Sequence, residues 1–400
     1  MERVAFCLTL CLISLTHSST ANPGCIWDLN VDLPKLDPLY FTNTNPSSLI
    51  IPGPTGLVLQ DSEYVTLICI GKSNTIFGTG QQELTLQCVS NNKLLYNGAQ
   101  YDLNQLYCSA NSLSDVILTG TPCSSGRGEI MNLGFNSTKG FATQVQVCYD
   151  RFNETSLYAV HTIYGKSITH AEIETDRPSF RNQGLAYGTT TANQYKQASQ
   201  TIRLSMLLGP LQTAKYINTT SYLSRGHLAP DGDFLFGGWS TATYFYVNAA
   251  PQWQVVNAGN WLRVENNARQ IADLRQEDLT IITGTCGVLK LQSDLGLMME
   301  IFLFDVKKLA VPKWLWKIIY SSKTQQGIAF VTLNNPHATT ISQSELLCTD
   351  ICSTSGWSRP EFSEFTKGYT YCCDANALLA TVGTLSPFTI NVSGVLTGPY

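Results

Sequence analysis

The segment Ser221-Tyr-Leu-Ser-Arg-Gly-His-Leu-Ala-Pro-Asp-Gly-Asp-Phe234 decides how the chain is read. His227 follows Arg225-Gly226 and precedes the turn-forming Pro230-Asp-Gly-Asp233. A histidine between a strand and a loop can bond one ring nitrogen to backbone and keep the other free. That is what a general base needs near neutral pH. Arg225, two residues earlier on a strand, points to the same face. The pair suits a phosphate: the guanidinium binds its oxygens while the imidazole takes a proton from attacking water. The tripeptide alone equally describes a solvated surface pair, so the flanking sequence has to decide.

Downstream, Thr241-Ala-Thr-Tyr-Phe-Tyr-Val-Asn248 reads as a second strand, broken by Ala249-Ala-Pro-Gln252. A helix is expected from about Asn257 to about Leu274. Asn257, Trp261, Glu265 and Arg269 recur every four residues and share one face, while Val264, Ala268 and Ile271 form a separate apolar stripe for the core. Asn257 and Glu265 are then about 12 Å apart along the helix, too far to hold one small ion directly. An amide oxygen can still bind a hard divalent cation while a carboxylate orients its waters, an arrangement magnesium tolerates. Read without that chemistry, the same spacing is an ordinary polar helix face.

The ordered string Arg225-Gly-His227, Asn248-Ala-Ala-Pro-Gln252 and Asn257-x-Gly259-x-Trp261-x-x-x-Glu265 resembles the DNA/RNA non-specific endonucleases, the His-Me finger or ββα-metal nucleases. Arg177-Pro-Ser-Phe180 and Ser224-Arg-Gly-His-Leu-Ala-Pro-Asp231, behind a cysteine-rich region, resemble more narrowly the secreted arthropod nucleases, among them insect double-stranded RNases and crustacean digestive nucleases. The resemblance implies an α+β fold: a ββα-metal nuclease domain with a central antiparallel sheet, preceded by a small disulfide-rich β domain. By the same resemblance His227 is the general base, and Asn257 is the protein ligand of Mg²⁺, with Mn²⁺ as a substitute. Glu265 acts on the metal through water, and Arg225 contacts phosphate beside the active centre. Arg177, with Arg181 as its competitor, is the upstream phosphate-binding arginine. Asn248 is grouped with the substrate-binding residues, although its position suggests a structural part. One departure is Ser224, where most of the family carries Asp; Ser224 holds none of these roles, so activity is expected to survive.

The implied reaction is hydrolysis of DNA and RNA phosphodiester bonds, double-stranded RNA included, with little sequence preference and 5′-phosphate products. No 2′-hydroxyl is needed, because the attacking group is water. No Walker loop, dinucleotide fingerprint, HExxH or GxSxG pattern occurs, so no nucleotide cofactor is expected. The alternative from another class is a secreted nucleic-acid-binding protein with an inactive nuclease fold, which would bind without EDTA-sensitive cleavage. Net charge is −4, so a basic cleft built from Arg177, Arg225 and Arg263 or Arg269 must supply the attraction locally. His161, His170 and His337 carry no motif and are read as structural or surface residues.

Further out, Met1-Glu-Arg3, the apolar run Val4 to Leu15 and Ser19-Thr-Ala21 form a cleavable secretory signal over residues 1–21. The sequons at Asn136, Asn153, Asn218 and Asn391 agree with that route. No later run is long and apolar enough for a membrane span, so the product is expected to be extracellular with no membrane partner. Of 13 cysteines two lie in the signal, and the remaining eleven leave at least one unpaired. Cys348, Cys352, Cys372 and Cys373 read as disulfide halves rather than metal ligands. Short alternating runs such as Tyr64–Ile70 and Glu83–Val89 place a cysteine-rich β accessory domain at 22–150. The endonuclease domain with its cysteine-containing tail then occupies 151–400. Buried strands are expected at Leu279–Gly284, Leu315–Tyr320 and Gly327–Leu333. The sequence leaves oligomeric state and disulfide connectivity open.

Overall fold

The computed structural model describes residues 23–171, 177–304 and 306–399; the expected signal at 1–21 lies outside them. The three apolar runs expected as buried strands form the middle of a nine-stranded sheet. They lie within Leu279–Val288, Pro312–Ser321 and Gln326–Leu333. The sheet continues on one side to Thr370–Cys373 and on the other through Thr155–Ile163, Gly140–Asp150 and Gly128–Ser137 to Asp115–Cys123. All these neighbours are antiparallel; Gly394–Val395 adds a short parallel pairing to Gln326–Gly327. Alternation along the strands divides the core in two. On Pro312–Ser321, Leu315 and Ile319 face one cluster, while Trp314, Trp316, Ile318 and Tyr320 face the other.

The boundary expected at 150/151 falls inside this sheet. Strands Gly140–Asp150 and Thr155–Ile163 are hydrogen-bonded neighbours, so residues from 115 onward belong with the large sheet. Before them, a five-stranded sheet spans Leu39 to Tyr101, flanked by the pair Pro23–Trp27 and Leu57–Gln60. Two disulfides staple this smaller part, Cys25–Cys88 and Cys69–Cys108. The third, Cys123–Cys148, ties two strands of the large sheet rather than the accessory part. Cys348–Cys373 and Cys352–Cys372 secure the tail, and Cys286 keeps a free thiol.

On the face of the large sheet that carries Leu315 and Ile319 lies a two-stranded hairpin, Leu223–His227 with Ala249–Trp253, followed by a helix, Leu262–Arg275. Val264, Ala268, Ile271 and Ala272 bury the helix against the same cluster as Leu315 and Ile319. This is the ββα unit. Its second strand is not the segment read from sequence. Thr241–Thr243 and Tyr246–Asn248 are 3₁₀ turns, and the pairing strand begins at Ala249. Residues 241–253 are all buried, and a continuous apolar run does not separate buried turn from buried strand. Pro251, opposite Arg225, is tolerated because the pair has no third strand to receive an N–H. Among the described residues, no helix is long and apolar enough to cross a membrane.

Candidate active site

Gly226 lets the hairpin close. A Cβ there would lie 2.0 Å from Oε1 and 2.7 Å from Cβ of Gln252, so only glycine fits beside that buried side chain. Ser224 Oγ donates to the Gln252 carbonyl at 2.9 Å, tying the two strands. His227 ends the strand against aromatic rings, with centroids of Phe180 at 4.8 Å and Tyr244 at 4.9 Å. Arg225 lies on the same side, its guanidinium carbon 5.2 Å from the Phe180 centroid, and is exposed. Packing, and not the expected backbone hydrogen bond, therefore orients the imidazole. Its Nε2 is enclosed without a partner among the described residues. Burial pushes His227 down to about 4, with Arg177 and Arg225 adding and Asp231 opposing, so the ring is neutral at pH 7.

The helix expected to run unbroken from Asn257 is bent. Gln254–Val256 forms one turn and Asn257–Trp261 a wider π-turn, in which Gly259 (φ −98°, ψ −121°) leaves the helical region. Leu262–Arg275 then runs regularly. Such bulges alter the face that neighbouring residues present. Asn257 and Glu265, eight positions apart, line one cleft together with His227, Arg177, Asp231 and Arg269. The cleft holds ≈ 570 Å³. Neither the Asn257 amide nor the Glu265 carboxylate makes a side-chain hydrogen bond among the described residues. One neutral and one anionic oxygen donor opening into a cleft fit a hard cation such as Mg²⁺. Burial raises Glu265 to about 7 in the metal-free protein, although Lys317 and Arg269 pull the other way.

Beneath the cleft lies a charged network that sequence reading missed. Asp233, fully buried, accepts from His161 Nε2 at 2.7 Å and from Arg269 Nη1 at 2.6 Å. Arg269 Nη2 also donates to Asn266 at 2.6 Å. Lys317, wholly enclosed in the central strand, donates to Thr283 Oγ1 at 2.5 Å. His161, Thr283 and Lys317 stand at inward positions of three adjacent strands. Burial lowers His161 below its ordinary value despite Asp233, so it is neutral and its Nε2–H is the donor. Asp233 is held below its ordinary value despite burial, chiefly by the His161 hydrogen bond and then by Arg269. Apolar alternation on these strands hides such residues; only the register brings them together.

The remaining candidates separate. Arg177 is largely exposed at the cleft, 3.8 Å from Asp231, which also accepts from Tyr244 Oη at 2.5 Å. Arg181 does not reach the cleft. It donates to the Ser114 carbonyl at 2.6 Å, to Ser114 Oγ and to the Thr241 carbonyl at 3.2 Å, and lies 4.0 Å from the Phe245 centroid. Asn248 does not line the cleft either: wholly buried, it accepts from Ala229 N and donates to the Ala229 and Thr243 carbonyls. Arg225 and Arg263 do not line the cleft, whose arginines Arg177 and Arg269 are matched by Asp231 and Glu265. The basic cleft expected from sequence is thus a mixed one. His170 Nδ1 accepts from Asn30 Nδ2 at 2.9 Å, and His337 packs on Tyr216 and Trp253.

Two outcomes follow from these environments. Arg181→Ala should lower unfolding free energy by about 2 kcal/mol through lost charge-assisted bonds, leaving KM for nucleic acid unchanged. A denaturant melt and a kinetic assay check it, and a raised KM with unchanged stability would return Arg181 to the substrate. The second concerns pH. His161, His227 and His337 all lie below their ordinary value because burial disfavours the charged ring. Below about pH 6.5 the unfolded chain therefore binds more protons at these sites, and they lose stability as pH falls. Glu265 opposes them, since a carboxyl raised to about 7 takes its proton in the folded state first. Melting temperature in metal-free buffer should fall between pH 7.5 and 5.5, and fall more steeply in Glu265→Gln; equal slopes would contradict the assignment of Glu265.

Residues 126–378 match the family described as DNA/RNA non-specific endonuclease. The chain is similar to a salivary endonuclease of Lutzomyia longipalpis, 34% identical over 364 residues, covering 89% of this chain and 83% of that protein. It is also similar to the salivary protein Tsal2A of Glossina morsitans morsitans, 26% identical over 391 residues, covering 97% and 98%. A salivary endonuclease of Culex quinquefasciatus aligns at 28% identity over 217 residues, 53% of each chain. The matched span contains the hairpin, the bent helix and most of the large sheet, and with that extent of agreement the chain belongs to the DNA/RNA non-specific endonuclease family and is a nuclease.

Proposed function

We propose that this nuclease is secreted and Mg²⁺-dependent, and that it hydrolyses DNA and RNA, double-stranded RNA included, with little sequence preference. The observation that supports this most is the meeting of His227, Asn257 and Glu265 in one cleft flanked by Arg177 and Arg269. The neutral imidazole of His227 accepts a proton from water as that water attacks phosphorus; with Nε2 enclosed, Nδ1 is the accepting atom. Arg177 and Arg269 bind non-bridging phosphate oxygens, and Arg225, steadied on Phe180, extends the same contact outside the cleft. Asn257, and Glu265 through water, would hold a Mg²⁺ ion, which when bound would supply Lewis-acid stabilisation of charge on the phosphate. As water attacks in line with O3′ the P–O3′ bond breaks and O3′ leaves, taking a proton from solvent, so the products carry 5′-phosphate and 3′-hydroxyl ends; no 2′-hydroxyl takes part, so the sugar is not discriminated.

Phosphate contacts carry no sequence information, so little base preference is expected. Secretion is supported by five disulfides and by the exposure of Asn136, Asn218 and Asn391. The fourth sequon asparagine, Asn153, is half-buried and donates to Asp150 at 2.7 Å. The test is digestion of double-stranded RNA, duplex DNA and single strands with Mg²⁺, with Mn²⁺ and with EDTA. Cleavage of all substrates, abolished by EDTA, is the expected result. Unimpaired cleavage in EDTA would remove the metal from this reading, and cleavage of one polymer alone would remove sugar non-specificity.

A further inference from the structure

The bend between Asn257 and Glu265 is held from outside the helix. Asn260, wholly buried in the π-turn, donates through Nδ2 to the carbonyls of Glu361 at 2.6 Å and Gly368 at 2.8 Å. Gly259 faces the same segment: a Cβ there would lie 2.7 Å from the Lys367 carbonyl oxygen. Arg359 Nη2 donates to Asn267 Oδ1 at 2.7 Å, on the helix that carries Glu265. All three contacts come from a segment closed into a ring by Cys352–Cys372, a sequence separation of 20. The ring is anchored in turn to the large sheet, since Cys372 pairs with Phe330, and Trp357 is wholly buried within it, its Nε1 donating to the Leu396 carbonyl at 2.8 Å.

We propose that this disulfide ring is a positioning device for the metal site, setting the bend at Gly259 and so the placement of Asn257 relative to Glu265. It rests on the reading of Asn257 and Glu265 as the metal-binding pair. Four points argue for it. The ring touches the π-turn and the helix that follows it, the two pieces whose relation decides whether both oxygen donors face one ion. The turn is not regular helix, so its own hydrogen bonds do not specify its shape. Asn260 satisfies two backbone carbonyls of the ring with one amide, a contact an alanine or leucine at a helical core position would not make. Closure by a disulfide limits the ring's freedom in a way a free tail would not. Asn260 and the ring touch no substrate in this scheme; they act through Asn257.

The experiment compares wild type, Asn260→Ala and Gly259→Ala. The first removes the tie and the second wedges turn and ring apart. Half-saturating Mg²⁺ is measured in the cleavage assay, Mn²⁺ binding by calorimetry without nucleic acid, and folding by thermal melts. Both variants are expected to need about tenfold more metal, the size typical when groups that orient metal ligands are lost, and to regain most of their turnover at saturating Mg²⁺. If a folded variant titrates with metal as wild type does, or loses turnover equally at every metal concentration, the ring is only structural and the proposal fails. Should Asn260→Ala not fold, Gly259→Ala decides. A wild type that binds no Mn²⁺ and cleaves equally in EDTA would overturn the metal reading itself, an outcome distinct from wild-type metal dependence with unaltered variants.

Discussion

His227→Ala should reduce cleavage of every nucleic-acid substrate by about 10²–10⁴-fold, the usual contribution of a general base, with KM nearly unchanged. The reason is the separation of tasks in the cleft. Arg177 and Arg269 keep their positions without the imidazole, because Asp231 and Asp233 hold them. Phosphate binding therefore survives while proton removal does not. The fold should survive as well: the ring contributes packing to Phe180 and Tyr244 but no hydrogen bond to the hairpin, whose ladder is backbone from Leu223 to His227. Steady-state kinetics on the purified variant, with a thermal melt alongside, measure both halves. Wild-type turnover in a folded His227→Ala protein would take the base away from this residue.

Asp233→Ala is expected to cost about 3–5 kcal/mol of stability, the range for breaking a buried charge arrangement by removing one partner. Asp233 pairs directly with Arg269 and accepts from the neutral His161, and among the described residues it is the carboxylate hydrogen-bonded to Arg269. Burial already lowers Lys317 below its ordinary value, and the loss removes the carboxylate that most opposes this, leaving Thr283 and the more distant Leu228 carbonyl as its hydrogen-bond partners among the described residues. Arg269 would also lose its tie beneath the cleft, so activity should fall even where the variant is folded. Urea unfolding of Asp233→Ala and Asp233→Asn gives the size, with the asparagine intermediate because it keeps one acceptor. A loss below about 1 kcal/mol in the alanine variant would mean that water or rearranged side chains replace the carboxylate.

The motif residues of the cleft were legible in order and spacing, because backbone-imposed requirements leave local traces. Gly226 is needed beside Gln252, His227 ends a strand, and Glu265 falls in the first turn of a helix with an apolar stripe. The placement of Arg181 and Asn248 stayed open in the sequence, because a polar side chain next to a motif does not reveal which way it points. Both point inward and satisfy backbone groups. The strand expected at 241–248 failed for a related reason: a wholly buried run has no alternation, and its form depends on what covers it. The division at 150 failed because cysteine density marks stapled segments without marking which sheet they join.

By itself the sequence determined the α+β class and the central strands, which depend on periodicity, and its resemblance to a known family pointed to the histidine, asparagine and glutamate that line the cleft. Only the tertiary structure decided the rest. The strand register places His161, Thr283 and Lys317 under Asp233, and the packing of Phe180 and Tyr244 orients His227. The disulfide-closed segment from Cys352 to Cys372 meets Gly259 and Asn260 and bends the helix between Asn257 and Glu265. Most of these contacts join residues about 30 to 110 positions apart, where no local pattern records the encounter and only the summed packing of the chain brings the groups within reach.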